Sequence, residues 1–305
     1  MSAALKLGIV GFGKIARDEH VPAIARTEGL ELIAVASRHG SAEGVANYLS
    51  LTDMLAACPE LDAVVLCQPP AVRFEAAKEA LNAGKHVFME KPPGLSVSEV
   101  ELLRGIAEKK GVTLFASWHS RYAPSVPPLK SWRAGKKLKR VAIEWREDVT
   151  LWHPGQDWIW QPGGFGVMDP GINALSILTD VIGEPIRMIS SRLEFPSNKG
   201  TPIGADLAME TASGMPITAV FDWRETGPQT WRILFEAEHD RFDYVQGQAS
   251  LPEGETAIAY EYRGLYARFL ELVRSGRSDV DLAPLQLVAD AFLAARIDIV
   301  QPFDQ

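Results

Sequence analysis

Between residues 5 and 116 the chain alternates short apolar runs with helical patterns, and this alternation constrains the fold more than any other feature. Strand-length runs at 5–10, 30–36, 61–67, 85–89 and 112–116 are separated by helical segments at 21–26, 50–57, 73–83 and 96–110. Ser96 is placed to cap the last of these. Regular strand-helix alternation predicts a parallel sheet with right-handed crossovers, since a parallel neighbour is reached only by a long return connection.

The first run opens directly into Gly11-Phe12-Gly13-Lys14-Ile15-Ala16 and then a helix. That is the context in which a Gly-x-Gly-x-x-Gly/Ala pattern binds a dinucleotide. Gly11 permits the tight turn, Gly13 lets the backbone approach a pyrophosphate, and Ala16 keeps the helix close to the sheet. The amides of the turn, Lys14 and Ile15 included, then face the phosphates at a helix N-terminus. This half is expected to be an α/β Rossmann domain. The second run ends in Ser37-Arg38, where an NAD-binding fold usually carries a carboxylate for the ribose hydroxyls. A carboxylate would repel a 2′-phosphate, whereas Ser37 and Arg38 donate to one, so NADP is expected to be preferred and NAD to remain usable.

Two further strand ends carry chemistry. The run at 61–67 stops on Cys67-Gln68-Pro69-Pro70, a rigid loop at the carboxyl edge of the sheet, where open α/β folds bind ligands. The run at 85–89 stops on Glu90-Lys91-Pro92. Pro92 disfavours a helical Lys91 and is compatible with a cis bond, so the lysine backbone is fixed and its ammonium aimed. A solvated charge pair at a turn is the plainer reading of those three residues alone.

Beyond Tyr122 the pattern changes to long strands of period two, at 140–149, 186–195, 204–212, 218–223, 231–237 and 241–246, with Ser213-Gly214-Met215-Pro216 as a hairpin turn. Helices are expected at 129–135, 171–182, 260–275 and from 283 to about 297. The predicted second domain is α+β with a large, mostly antiparallel open sheet, giving domains 1–122 and 123–305. Val141, Ile143, Trp145 and Glu147 share one strand face, which sends a carboxylate toward the apolar side. Trp152, His153, Trp158 and Trp160 crowd a loop framed by Pro154 and Pro162, where an indole face suits a sugar and an imidazole suits its hydroxyls. Asp169 and Pro170 read as cap and first residue of a helix whose Asn173 shares the Asp169 face.

The whole set, Gly11-x-Gly13-x-x-Ala16, Cys67-Gln68-Pro69-Pro70, Glu90-Lys91-Pro92 and Gly163-Gly164 leading to Asp169 and Asn173, resembles the glucose-fructose oxidoreductase and inositol dehydrogenase family over nearly the entire chain. Asn173 departs from the histidine common there. With Ser37-Arg38 and the Trp152-His153 loop, this makes the chain similar to the bacterial aldose 1-dehydrogenases that act on L-arabinose and D-galactose. The resemblance implies oxidation of a pyranose at its anomeric carbon to a lactone, with Lys91, Asp169 and Asn173 catalytic. His119, Glu147 and His153 are expected to hold hydroxyls, and Trp152 and Trp231 to form the apolar walls. Cofactor contacts are expected from Gly11, Gly13, Lys14, Ile15, Ser37, Arg38, Cys67, Gln68, Pro69, Glu90 and Lys91. The alternatives are another sugar, polyol or imine oxidoreductase of the family, and a non-catalytic dinucleotide-dependent sensor.

Composition excludes other classes. The net charge of −8 lacks the basic footprint of a general nucleic-acid binder. No apolar run approaches the roughly 20 residues of a membrane span. Cys58 and Cys67 make neither a disulfide framework nor a metal cluster, His119, His153 and Asp169 lack zinc-ligand spacing, and no metal is expected. With no signal-like leader, a cytoplasmic protein is expected. A monomer is favoured over a homodimer, because Glu144, Arg146, Asp206, Glu210, Asp222 and Arg224 would place unpaired charge on the open sheet face.

Overall fold

The computed structural model describes residues 3–304. They form two compact units, one running to Tyr122 and including Leu251–Leu282, the other comprising Ala123–Ser250 and the chain from Ala283 onward.

In the first unit β1 (Leu5–Val10) leads through a π-helical turn (Ala16–His20) into α1 (Val21–Arg26). There follow β2 (Leu30–Ala36), β3 (Ala46–Tyr48), α2 (Leu51–Ala57), β4 (Ala63–Leu66), α3 (Pro70–Asn82), β5 (His86–Glu90), α4 (Val97–Lys110) and β6 (Leu114–Ser117). The strands form one parallel sheet in the order β3-β2-β1-β4-β5-β6. Order reverses beside β1, so the carboxyl ends of β1 and β4 flank the crevice where such sheets take ligands. Ser50 and Ser96 cap α2 and α4, each accepting from the backbone three residues on. Strand β3 escapes the sequence pattern because it is only three residues long.

The second unit contains α5 (Val126–Arg133), β7 (Leu138–Arg146), the short α6 (Val149–Trp152), α7 (Met168–Ile182), β8 (Ile186–Pro196), β9 (Gly204–Thr211), β10 (Pro216–Asp222), β11 (Thr230–Ala237) and β12 (Arg241–Val245). After α8 (Ala257–Ser275), which belongs to the first unit, come α9 (Ala283–Leu293) and β13 (Ala295–Val300). The seven strands run β12-β11-β7-β10-β9-β8-β13; β7 with β10 and β8 with β13 are parallel, and the other pairs antiparallel.

Four expectations are corrected. The second unit is not contiguous: α8 buries Tyr262, Leu265, Tyr266, Phe269 and Leu272 against Leu7, Ile9, Ile24, Phe88 and Phe115 of the first. Its helical period was legible, but not which core it serves. The last helix stops at Leu293 instead of about 297, because Arg296, Ile297, Asp298 and Ile299 alternate with a period of two and extend as β13. Asp169 is not the cap of α7, which starts earlier: Val167 is the cap, following Phe165 and Gly166, both at positive φ. Finally, the charges on the open sheet face are paired. Glu144 meets Arg146 at 2.8 Å, Asp206 meets Arg192 at 3.1 Å, Glu210 meets Arg187 at 2.6 Å and Asp222 meets Arg224 at 2.8 Å.

Candidate active site

In the first unit the glycine turn sits at the end of β1. Gly11 has φ +85°, and a Cβ added there would lie 2.9 Å from the Gln68 amide, so this position is closed to other residues. A Cβ on Gly13 would meet nothing within 4 Å, which leaves exposed backbone at the start of a helical stretch. Open backbone at Gly13 and a buried Ala16 suit a dinucleotide pyrophosphate. Lys14 is exposed and engages Asp18, Ile15 is half-buried, and Arg38 is exposed beside a half-buried Ser37, whose amide is fixed by the Tyr48 carbonyl.

Both other loops at this sheet edge are held by one side chain that the sequence did not single out. Arg73, 2% exposed on α3, donates to the carbonyls of Gln68, Glu90 and Pro92, tying the 67–70 loop to the Glu90-Lys91-Pro92 turn. The Lys91–Pro92 bond is cis. Cys67 and Gln68 are half-buried and Pro69 exposed, while Lys91 is half-buried.

Glu90 is buried, with its side chain turned into the core. Its Oε1 accepts from the Tyr262 hydroxyl at 2.8 Å and lies 3.0 Å from His20 Nε2; its Oε2 accepts the Lys91 amide at 2.8 Å. The Tyr266 hydroxyl lies 2.7 Å from His20 Nδ1. Burial alone would lower the pKa of His20, but the neighbouring Cys67 sulfur and Glu90 carboxylate raise it to about 10. Burial alone would raise Glu90, yet His20 first, then His119 and the Tyr262 hydroxyl, lower it to about 2. His119 is buried, stacked on Tyr262, with Nδ1 2.6 Å from Glu261 Oε2. His20, Tyr262, Tyr266 and Glu261 were missed as site residues: three come from a helix far along the chain, and a lone buried His has no local signature.

In the second unit three strand ends converge. Parallel β7 and β10 finish at the same edge where antiparallel β11 begins, and the Glu147 amide donates to the Asp222 carbonyl at 2.9 Å. This gathers Glu147, Trp223 and Trp231. The Trp223 indole donates to Glu147 Oε1 at 3.1 Å and the Trp231 indole to Oε2 at 3.0 Å, so a carboxylate that is 6% exposed is held between two N–H groups. Trp223, not among the expected site residues, therefore organises the site. Half-exposed Trp152 packs edge-on to Trp231 and donates to Gln229 at 2.6 Å. Trp160 is buried against Trp223 and serves as core.

Helix α7 brings in Asp169 and Asn173. Gly171 lets it lie directly on the sheet, since a Cβ there would stand 2.7 Å from the Phe221 ring. Every residue from Met168 to Leu178 is buried except Asn173, which is half-buried. Asp169 is 4% exposed with Oδ2 3.6 Å from His153 Nε2, and the His153 ring packs on Trp223. Thus Glu147, Trp223, Trp231, His153 and Asp169 form one connected cluster, carrying two acids, one imidazole and indole faces.

Among the described residues no group of three or more His, Cys, Asp or Glu side chains could hold a metal, and no helix is long and apolar enough to cross a membrane.

Residues 5–117 match the GFO_IDH_MocA model, described as an oxidoreductase family with an NAD-binding Rossmann fold. Over the full length the chain is 38% identical to the galactose 1-dehydrogenase of Pseudomonas fluorescens, covering 98% of this chain and 99% of that protein. The crystal structure of a D-galactose-1-dehydrogenase protein from Rhizobium etli is 49% identical with a TM-score of 0.94, covering 100% of this chain and 99% of that one. A crystal structure of GenD2 from gentamicin A biosynthesis, solved with NAD, shares the fold at 18% identity, a TM-score of 0.84 and coverage of 96% and 95%. With a whole-length relative of that identity and the nucleotide-binding fold in place, the chain belongs to the GFO/IDH/MocA family of oxidoreductases.

Proposed function

We propose that the protein is an aldose 1-dehydrogenase that oxidises the anomeric carbon of a pyranose of the D-galactose or L-arabinose type to its lactone, preferring NADP to NAD. The observation that carries the reading is the second-unit cluster, in which Glu147 is clasped by two indole N–H groups beside Asp169 and His153. Indole faces pack on the C–H face of a sugar, and buried acids and imidazoles accept and donate to its hydroxyls. Whole-length likeness to two galactose 1-dehydrogenases supports the substrate class.

Oxidation of a hemiacetal to a lactone removes a hydride from the anomeric carbon and a proton from its hydroxyl. A bound nicotinamide supplies the hydride acceptor. The turn at Gly11 and Gly13, with Lys14 and Ile15, holds the pyrophosphate, and Cys67, Gln68, Pro69 and the Glu90-Lys91 turn frame the nicotinamide. Ser37 and Arg38 donate to a 2′-phosphate. Asn173 exchanges no proton at neutral pH and fixes a hydroxyl, so the proton task falls to Asp169 and Lys91. Glu147, His153 and His119 hold further hydroxyls, and Trp152 and Trp231 supply the apolar wall.

The test is a screen of aldoses with NADP and NAD, followed by the absorbance of the reduced cofactor. D-Galactose or L-arabinose is expected to give turnover. Lys91→Ala and Asp169→Ala are each expected to lose about 100-fold or more. Arg38→Ala is expected to reduce kcat/KM for NADP but not for NAD. Activity kept within tenfold in both the Lys91 and Asp169 variants would overturn the roles.

A further inference from the structure

Both oxygens of Glu90 are engaged within the core of the first unit. Oε1 faces His20 Nε2 and the Tyr262 hydroxyl, and Oε2 accepts the backbone N–H of the next residue, Lys91. His20 is fully buried, its ring edge-on to Phe88, Tyr262 and Tyr266 at centroid distances of 5.6, 4.9 and 5.8 Å, with the Tyr266 hydroxyl on its other nitrogen. A carboxylate next in sequence to a functional lysine competes for its ammonium when its own side chain is not held elsewhere. We propose that His20 is a positioning residue for Lys91: with Tyr262 it holds the Glu90 carboxylate inward, so that Glu90 fixes the Lys91 backbone and is kept from pairing with the Lys91 ammonium. The kinetic side of this inference rests on the role of Lys91 proposed above; the structural side does not.

This arrangement gives the Glu90 side chain an inward task and leaves only the backbone of its turn to the cofactor. Its neighbours explain why the acid stays in place. His20 supplies the balancing cation, Tyr262 a second donor, and Tyr262 is itself backed by the stacked His119 and its partner Glu261. Without His20, Glu90 is left as an uncompensated buried charge, which turning toward the adjacent ammonium would relieve.

The experiment is acetylation of the full-length protein by acetic anhydride at pH 8. Mass spectrometry reads the labelling rate of Lys91 against exposed Lys137. His20→Gln is expected to slow Lys91 labelling about fivefold, because the freed carboxylate holds the ammonium protonated. Tyr262→Phe, which keeps the ring, is expected to slow it about twofold. The double variant His20→Gln/Glu90→Gln is expected to restore the wild-type rate, which simple loosening of the core would not do. In parallel, His20→Gln is expected to lower kcat about tenfold with KM for the cofactor within twofold. Unchanged Lys91 labelling in folded His20→Gln and Tyr262→Phe, or slowed labelling that the double variant does not rescue, would overturn the proposal. If His20→Gln does not fold, Tyr262→Phe alone decides by the same criterion. Absence of aldose turnover in the wild type would instead remove the proposed function and leave the labelling arm to judge the positioning role.

Discussion

Replacing Glu147 with glutamine changes a single atom type and tests the second-unit cluster directly. In the wild type each carboxylate oxygen accepts an indole N–H, from Trp223 at 3.1 Å and Trp231 at 3.0 Å. An amide offers one acceptor and turns an NH2 donor toward the other indole, leaving one N–H facing another donor. Trp223 is fully buried and cannot turn to water, whereas Trp231 is only partly buried, so the amide oxygen stays with Trp223 and Trp231 loses its partner. An unsatisfied donor costs about 1–3 kcal/mol, and exchanging a charged acceptor for a neutral one roughly 1 kcal/mol more. Relief of the buried carboxylate's desolvation offsets part of this and brings the expected loss to about 2 kcal/mol. Urea unfolding of wild type, Glu147→Gln, Trp231→Phe and the double variant measures it. In the Trp231→Phe background no indole is left orphaned, so Glu147→Gln is expected to cost about 1 kcal/mol less there. A Glu147→Gln protein within 0.5 kcal/mol of wild type, with no coupling to Trp231, would refute the two-indole clasp.

Gly171→Ala places a methyl 2.7 Å from the Phe221 ring, and overpacking at this helix-sheet contact is expected to cost about 1–3 kcal/mol by urea unfolding; an unchanged midpoint would show that α7 does not depend on the close approach. The His20–Glu90 pair also sets a pH window. His20 is raised from 6.5 to about 10, so its contribution is full below 6.5 and is lost as pH rises through about 10. Glu90 is lowered from 4.5 to about 2, so its contribution is full above 4.5 and is lost as pH falls through about 2. With Cys67, Tyr262, Tyr266 and His119 left in place, the difference in Tm between wild type and His20→Gln/Glu90→Gln is expected to peak between pH 4.5 and 6.5 and to shrink toward both extremes; a difference flat across pH would contradict the charged pair. The ion pairs across the open sheet face must be desolvated to bury it, so a monomer is expected by light scattering on a sizing column, and a concentration-independent dimer would refute that.

The first unit was legible because its signals are local. Apart from β3, each strand is a contiguous apolar run, the helices between the strands lie in sequence order, and the glycine turn and Glu90-Lys91-Pro92 lie within single loops. Boundaries at β1, α1 and β2 coincide with the sequence reading, and Ser96 caps as expected. What escaped depends on packing between distant segments. Nothing near His20 announces Glu90, and nothing near Glu90 announces Tyr262. Arg73 was only the first residue of the predicted 73–83 helix, yet it is buried on three carbonyls. In the second unit, strand alternation placed Glu147 on the inner face, but its indole partners required knowing that β7, β10 and β11 are neighbours. The open-face charges were read singly, and cross-strand register is what pairs them.

The most direct measurement of the central claim is the fate of the hydrogen on the anomeric carbon. With an aldopyranose deuterated at that carbon alone, the deuterium is expected to appear in the reduced cofactor, one per turnover, with a lactone as the other product. Deuterium retained in the sugar product while reduced cofactor forms would mean that a different carbon is oxidised.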